Sequence, residues 1–192
     1  MHDPLPIFDT WLKEAIACAM IREPTAMTLA TADGDGKPSA RMVLLKAFDE
    51  RGFVFYTNLQ SRKGHELKVN PYAALVFYWM PLDKQVRIDG TVVAVSASEA
   101  DTYFASRERL KQAGAWASLQ SEPLDKRETL IARTTDIEQK YDGKPIPRPP
   151  HWSGYRLVPG RMEFWSQGSA RLHERECFTR QHNGWQHTLL YP

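Results

Sequence analysis

From Ala26 to Ser96, short runs rich in Val, Ile, Phe and Tyr are separated by turn sequences, and this punctuation constrains the fold more than any other feature. Ala26–Thr31 leads into Asp33-Gly-Asp-Gly36, Ser39–Phe48 leads into Asp49-Glu-Arg-Gly52, and Phe53–Thr57 completes a meander. Ala73–Met80 and Gln85–Ser96 extend it. Three more strands follow a stiff loop, Lys144-Pro-Ile-Pro-Arg-Pro-Pro150, and the final pair is joined by Asn183-Gly184, a dipeptide suited to a tight hairpin. Most of these connections are too short for crossovers, so the pairing is antiparallel. Seven or eight closely spaced strands with helices between them predict a mainly β fold, a barrel with peripheral helices. Helical spacing of apolar positions and local caps place the helices at about residues 7–21, 61–70, 98–117 and 124–141.

A chain of 192 residues suits one domain spanning 1–192, with 42% hydrophobic and 25% charged residues as in soluble globular proteins. The 25 basic and 23 acidic residues leave a formal charge of +2, which supplies no global field for nucleic acid. Any anion binding must come from local clusters. Cys18 and Cys177 have no CxxC spacing and read as thiols of a reducing compartment. The start, Met-His-Asp-Pro-Leu-Pro, lacks a signal-peptide pattern, and no apolar run approaches the roughly 18 residues of a membrane span. A cytoplasmic location is expected.

Local basic clusters stand out against that balanced charge. Arg171-Leu-His-Glu-Arg175 reads as a strand, which places Arg171, His173 and Arg175 on one face at about 7 Å intervals. Such groups repel unless an anion lies against them. Arg41-Met-Val-Leu-Leu-Lys46 carries two cations five residues apart on a predicted strand, hence on opposite faces unless a bulge intervenes. Ser61-Arg62-Lys63-Gly64 joins a helix N-cap to two cations in the first turn, where the dipole favours an anion and disfavours them. Tyr103, Arg107 and Lys111 fall at i, i+4 and i+8 of a predicted helix, a set suited to a phosphate monoester. Trp165 precedes the Arg171 cluster and could serve as a platform for a flat ring. Each cluster also has a plainer explanation: strand-end charges, a solvated basic turn, an exposed helical face, a core tryptophan. Together they point to a phosphorylated small molecule.

The six histidines show no metal-ligand spacing, and neither GxSxG nor GxxxxGK is present. Chemistry built on cationic clusters alone requires a cofactor.

Several motifs in order carry a resemblance: Arg41-Met-Val-Leu-Leu-Lys46, Phe55-Tyr-Thr-Asn58, Ser61-Arg-Lys63, Tyr103-Phe104, Gly114-Ala-Trp116, Gln120-Ser121, Glu163-Phe-Trp165 and Arg171-Leu-His173. From about residue 4 to near the C-terminus, the chain resembles the pyridoxine (pyridoxamine) 5′-phosphate oxidase family. The resemblance implies an FMN-binding split β-barrel of antiparallel Greek-key type, working as a homodimer with FMN in clefts between subunits. It assigns FMN contacts to Arg41, Met42, Val43, Leu44, Leu45, Lys46, Tyr56, Thr57, Arg62, Lys63, Gln85, Gln120, Ser121, Trp165 and Arg175. It assigns the substrate phosphate to Lys46, Tyr103, Arg107 and the position of Lys111, and the pyridine ring to Arg171 and His173, the candidate catalytic residues. The implied reaction oxidises pyridoxine 5′-phosphate or pyridoxamine 5′-phosphate to pyridoxal 5′-phosphate with molecular oxygen. No metal, nucleic acid or membrane partner is implied.

The chain departs from the family pattern at three places. Lys111 stands where Ser is usual, the longer N-terminal arm is absent or shortened, and the end reads Leu189-Leu-Tyr-Pro192 rather than Arg-Leu-x-Pro. Competing expectations are a related FMN oxidase of another substrate, such as a phenazine precursor, and a non-catalytic flavin- or pyridoxal-phosphate-binding protein. A nucleic-acid-binding barrel comes last.

Overall fold

Residues 3–192 are described in this computed structural model, so Met1 and His2 of the N-terminal segment lie outside the description. The predicted meander forms, as part of a nine-stranded antiparallel sheet. Its strands are β1 (Ala26–Ala32), β2 (Pro38–Leu44), β3 (Ala47–Asp49), β4 (Gly52–Asn58), β5 (Tyr72–Trp79), β6 (Lys84–Ala94), β7 (Trp152–Ser166), β8 (Glu174–Gln181) and β9 (Gly184–Leu189). The order is β2-β1-β5-β6-β7-β4-β3, with β8 and β9 branching from β7. The branch point explains the split. β6 follows most of β7 along one edge, while the other edge pairs first with β4 through Trp152–Leu157 and then with β8 through Arg161–Ser166. Gly184, at φ 126°, closes the β8–β9 hairpin after His182-Asn183, as the dipeptide predicts.

Alternation sorts the sheet into two faces. Inward go Met27, Leu29, Leu75, Phe77, Val86, Ile88, Met162, Phe164 and Phe178, all buried. Helix α1 (Leu5–Ala17) plugs this side, and the Phe8 ring meets Phe48, Phe53 and Phe77 edge-on at centroid distances of 4.9, 4.9 and 5.2 Å. Across the outer face, cross-strand partners form continuous rows. One row is Tyr78–Gln85–Trp165–Arg175; the next is Met42–Thr28–Val76–Arg87–Glu163–Cys177. Met42 and Tyr78 are about 60% exposed on this face.

Several predicted boundaries move. α1 begins at Leu5, where Asp3 Oδ1 accepts from the Leu5 amide, because Pro6 is tolerated in a first turn. It stops at Ala17 rather than residue 21, since Cys18 is extended and the chain must turn into β1, with the Pro24 carbonyl held by Trp79 Nε1 at 2.9 Å. The strand expected over Ser39–Phe48 breaks at Leu45-Lys46. There the Leu45 amide bonds Thr25 O and the Lys46 amide bonds Val54 O, both at 2.9 Å, so the chain passes from the β1 side to the β4 side as the barrel closes.

The predicted helix 98–117 is two helices, α3 (Ala97–Ala105) and α4 (Arg109–Ala117). Buried Gln112 donates to the Phe104 and Ala105 carbonyls at 2.9 and 3.2 Å, satisfying the end of α3 and fixing the corner. α2 (Arg62–Val69) forms as predicted, capped by Ser61 Oγ on the Gly64 amide. α5 (Arg127–Lys140) starts later than expected; Asp125 Oδ2, ahead of it, accepts from Thr129 Oγ1. Among the described residues, no helix is long and apolar enough to cross a membrane.

Candidate active site

A hollow of about 850 Å³ opens where β2, β4, α2, α3 and α4 meet. It gathers Arg41, Met42, Val43, Leu44, Lys46, Tyr56, Thr57, Arg62, Lys63, Tyr103, Arg107, Lys111, Gln120 and Ser121, residues drawn from five separated stretches of sequence. Leu45 does not join them, because its side chain is 4% exposed and belongs to the core. Arg41 and Lys46 reach the same hollow despite their odd spacing, since the break at Leu45 resets the alternation. Tyr103, Arg107 and Lys111 also converge, although Arg107 sits in the α3–α4 corner rather than on one continuous helical face.

One part of the hollow surrounds the N-terminus of α2. Lys63 is buried, and its Nζ donates to two neutral oxygens, Ser61 Oγ at 3.2 Å and Gln120 Oε1 at 3.1 Å. Burial pulls its pKa below the ordinary lysine value and the Arg41 charge adds to the fall, while Glu66 opposes it. Ser121 Oγ accepts from the Arg62 amide at 3.1 Å; holding it there puts Ser121 at φ 81°, an uncommon region for a residue with a side chain. Arg41 and Arg62 both pair with buried Glu66, at 3.1 and 2.8 Å.

The other part is aromatic and cationic. Tyr56 stacks on Tyr103 at 4.0 Å and on Trp152 at 5.2 Å, in planes within 14° and 5°. Gly154 makes this possible, because a Cβ there would lie 2.7 Å from the Tyr56 ring. Burial raises the Tyr56 phenol to about 12, so it stays a donor at neutral pH. The Arg107 guanidinium lies over Trp152 at 4.8 Å. Arg107 Nη1 is buried with no hydrogen-bond partner, and burial pulls the guanidinium pKa down. Arg107 lines the hollow, and a buried cationic donor left without a partner at its wall fits an anionic ligand group. Lys111 Nζ pairs at 2.9 Å with Glu108, through side chains that are both more than 60% exposed, a weak tether.

Gln85, Trp165, Arg171, His173 and Arg175 are not in this hollow. The strand expected over Arg171–Arg175 begins only at Glu174; Ser169–Arg171 is a 3₁₀ turn with Ala170 and Arg171 at φ 52° and 64°. A Cβ on Gly168 would lie 1.8 Å from Leu172 O, so the turn is tight enough to require glycine there. Arg171 therefore leaves the predicted face, while His173 packs on Trp165 at 4.8 Å. His173 Nδ1 accepts from the Gly168 amide at 3.3 Å, which assigns the neutral ring's proton to Nε2. Gln85, Trp165 and Arg175 lie side by side in one outer-face row. Met42 borders the hollow and also belongs to the neighbouring row, so the two sets flank one continuous surface.

Glu66 was not singled out from the sequence, and Glu163 entered only within the Glu163-Phe-Trp165 motif, with no role of its own. Glu163 is 2% exposed beneath Arg87, Arg161 and Arg175. Trp152, the floor beneath Arg107 at the start of β7, was not singled out from the sequence. Among the described residues, no group of three His, Cys, Asp or Glu side chains is gathered to hold a metal.

Comparison with known proteins agrees with this geometry. Residues 12–141 match the family described as pyridoxamine 5′-phosphate oxidase, and residues 152–192 match the pyridoxine 5′-phosphate oxidase C-terminal dimerisation region. A pyridoxine/pyridoxamine 5′-phosphate oxidase of Myxococcus xanthus strain DK1622 is 58% identical over 94% of this chain and 85% of its own length. One from Gluconobacter oxydans strain 621H is 54% identical over 99% and 94%. Among solved structures, PhzG from Burkholderia lata 383, in complex with tetrahydrophenazine-1-carboxylic acid, superposes with a TM-score of 0.93 at 39% identity, over 99% of this chain and 93% of its own. A pyridoxamine 5′-phosphate oxidase-related, FMN binding protein from Nostoc punctiforme shares the fold, with a TM-score of 0.79 at 15% identity over 100% and 99%. With two family matches in sequence order and relatives above half identity along nearly its whole length, the chain belongs to the pyridoxamine 5′-phosphate oxidase family.

Proposed function

We propose that this protein is an FMN-dependent oxidase of pyridoxine 5′-phosphate and pyridoxamine 5′-phosphate, acting as a homodimer. The observation that carries the reading is the pair of anion-seeking cations in one hollow, buried Lys63 on neutral oxygens and Arg107 with an orphaned Nη1. Two phosphate groups, one from the cofactor and one from the substrate, meet that demand. Arg41, Arg62, Lys63, Gln120 and Ser121 fit the FMN phosphate: three cations, two neutral hydrogen-bonding side chains and a helix N-terminus. Tyr103, Arg107 and Lys111 fit the substrate phosphate, with a fork, a point charge and a hydroxyl.

Arg171 and His173, on the strained turn, serve the pyridine ring of a site on the partner subunit, and Gln85, Trp165 and Arg175 serve its flavin. Support comes from the outer-face rows that carry or adjoin them, the exposed Met42 and Tyr78, and the match of residues 152–192 to a dimerisation region. Arg171 orients the ring by charge, and His173 donates from Nε2 to a ring substituent, so the reacting carbon is held in place rather than activated by a base. FMN held there would supply the two-electron acceptor for the hydride equivalent at the C4′ carbon, the substrate's hydroxyl or amine proton passing to solvent, with oxygen as final acceptor giving hydrogen peroxide. The alcohol then leaves as aldehyde. The amine leaves as an imine that water hydrolyses to aldehyde and ammonia.

Similarity to PhzG favours a second reading, oxidation of a reduced tricyclic carboxylate. Hydrogen peroxide release separates them. The first reading expects turnover of both phosphorylated pyridines; turnover of a tetrahydrophenazine carboxylate with neither pyridine oxidised would replace it.

A further inference from the structure

We infer that Glu66 is a positioning residue for the phosphate seat: one buried carboxylate holds Arg41 and Arg62 in place and trims the seat's charge to match a phosphate monoester. The inference rests on the proposed FMN site and concerns a residue that does not line the hollow. Glu66 is 5% exposed. Its Oε1 accepts from Arg62 Nε at 2.8 Å. Its Oε2 accepts from Thr31 Oγ1 at 2.5 Å, Ser39 Oγ at 2.6 Å and Arg41 Nη2 at 3.1 Å. The Thr31 and Ser39 hydroxyls in turn accept from the Arg41 guanidinium, so Arg41 is fastened to the carboxylate both directly and through two relays.

This arrangement ties three elements together: β1 through Thr31, β2 through Ser39 and Arg41, and α2 through Arg62 and Glu66 itself. Flexible arginines lose less freedom on binding when a buried partner already holds them. The net charge left at the seat also suits a phosphate. Arg41, Arg62 and Lys63 carry three positive charges and Glu66 one negative, leaving about two, against the roughly 1.5 to 2 negative charges of a phosphate monoester near pH 7. Electrostatics alone would make removal of Glu66 strengthen anion binding; positioning makes its removal weaken it. The two accounts differ in sign.

The experiment titrates full-length protein stripped of flavin with FMN and with riboflavin, following flavin fluorescence, in wild type, Glu66→Gln and Ser39→Ala. Riboflavin has the same ring and ribityl chain without the phosphate, so the ratio of the two affinities reports on the seat alone. A general loss of packing would weaken both flavins together and leave the ratio unchanged. The expected result is a fall of about tenfold in the FMN-to-riboflavin ratio for Glu66→Gln, the size of one lost charge-assisted hydrogen bond, and a smaller fall for Ser39→Ala. An unchanged or increased ratio in both variants overturns the positioning role. If Glu66→Gln does not fold, Ser39→Ala decides alone. Wild-type protein that fails to prefer FMN over riboflavin would instead remove the proposed function on which the inference rests.

Discussion

Arg175 donates from both Nε and Nη2 to a single oxygen of Glu163, at 3.0 and 2.8 Å, and is thereby held on the outer face of the sheet in the same cross-strand row as Trp165 and Gln85. Arg161 and Arg87 crowd the other oxygen, at 2.8 and 3.8 Å. A carboxylate this buried needs its cationic partners close, so the cluster holds Arg175 in place. It presents Arg175 outward, towards whatever covers the sheet, rather than into the hollow of its own chain.

Sites built from two copies have a numerical signature. Arg107→Ala and Arg171→Ala should each abolish most activity on their own. Co-refolded in equal amounts, half of the dimers are mixed, and each mixed dimer has one site with both arginines intact. Activity should recover to about a quarter of wild type. No recovery, with mixed dimers verified by differential tags, would place both residues in the same subunit's site.

Arg171→Ala should lower turnover on the order of a hundredfold, the scale of losing one preorganised charged group at a reacting centre, while FMN affinity stays unchanged. The readout is kcat alongside flavin content. Equal loss of bound flavin would assign Arg171 to the cofactor.

Arg107→Lys keeps the charge but loses the fork that carries the orphaned Nη1 and the flat contact with Trp152. KM for pyridoxamine 5′-phosphate should rise about tenfold or more with little change in kcat. A fall in kcat at constant KM would contradict a role in holding the substrate phosphate.

Glu66 also sets an acid limit on stability. Burial by itself would raise its carboxyl, but hydrogen bonds from Ser39, Thr31, Arg62 and Arg41 outweigh that and bring it from 4.5 to about 2. A depressed carboxylate stabilises the fold above its unfolded value and loses that contribution as pH falls through the folded one. The term amounts to about 3 kcal/mol, present above pH 4.5 and gone near pH 2. Urea unfolding at stepped pH should show wild type more stable than Glu66→Gln at pH 6, with the gap closing towards pH 2. A gap independent of pH would mean that the side chain's shape matters rather than its charge.

Much of this was readable from residue order because local rules governed it. The Ser61 cap, the Asn183-Gly184 hairpin and the β-rich meander each rest on a few neighbouring residues. The failures share a different cause. Gln112 ends α3 from seven and eight residues away, so the corner at Arg107 could not be read from helical spacing. Leu45 turns inward because the barrel closes there. Arg62 and Glu66 are spaced as an ordinary i, i+4 pair on α2; Thr31 from β1 and Ser39 and Arg41 from β2 turn that glutamate into a buried hub. Glu163 is buried by arginines on both neighbouring strands and its own, partners that residue order along one strand does not bring together. The positive φ of Ala170 and Arg171 falls on residues that carry side chains; Gly168, just before them, announces a turn but not that conformation.

The most direct test is the visible absorption spectrum of the purified protein before and after pyridoxamine 5′-phosphate is added without oxygen. A yellow protein whose flavin band bleaches, and returns when air is admitted, is the predicted result. A colourless protein that takes up no FMN, or a flavin band that neither phosphorylated pyridine can bleach, would contradict it.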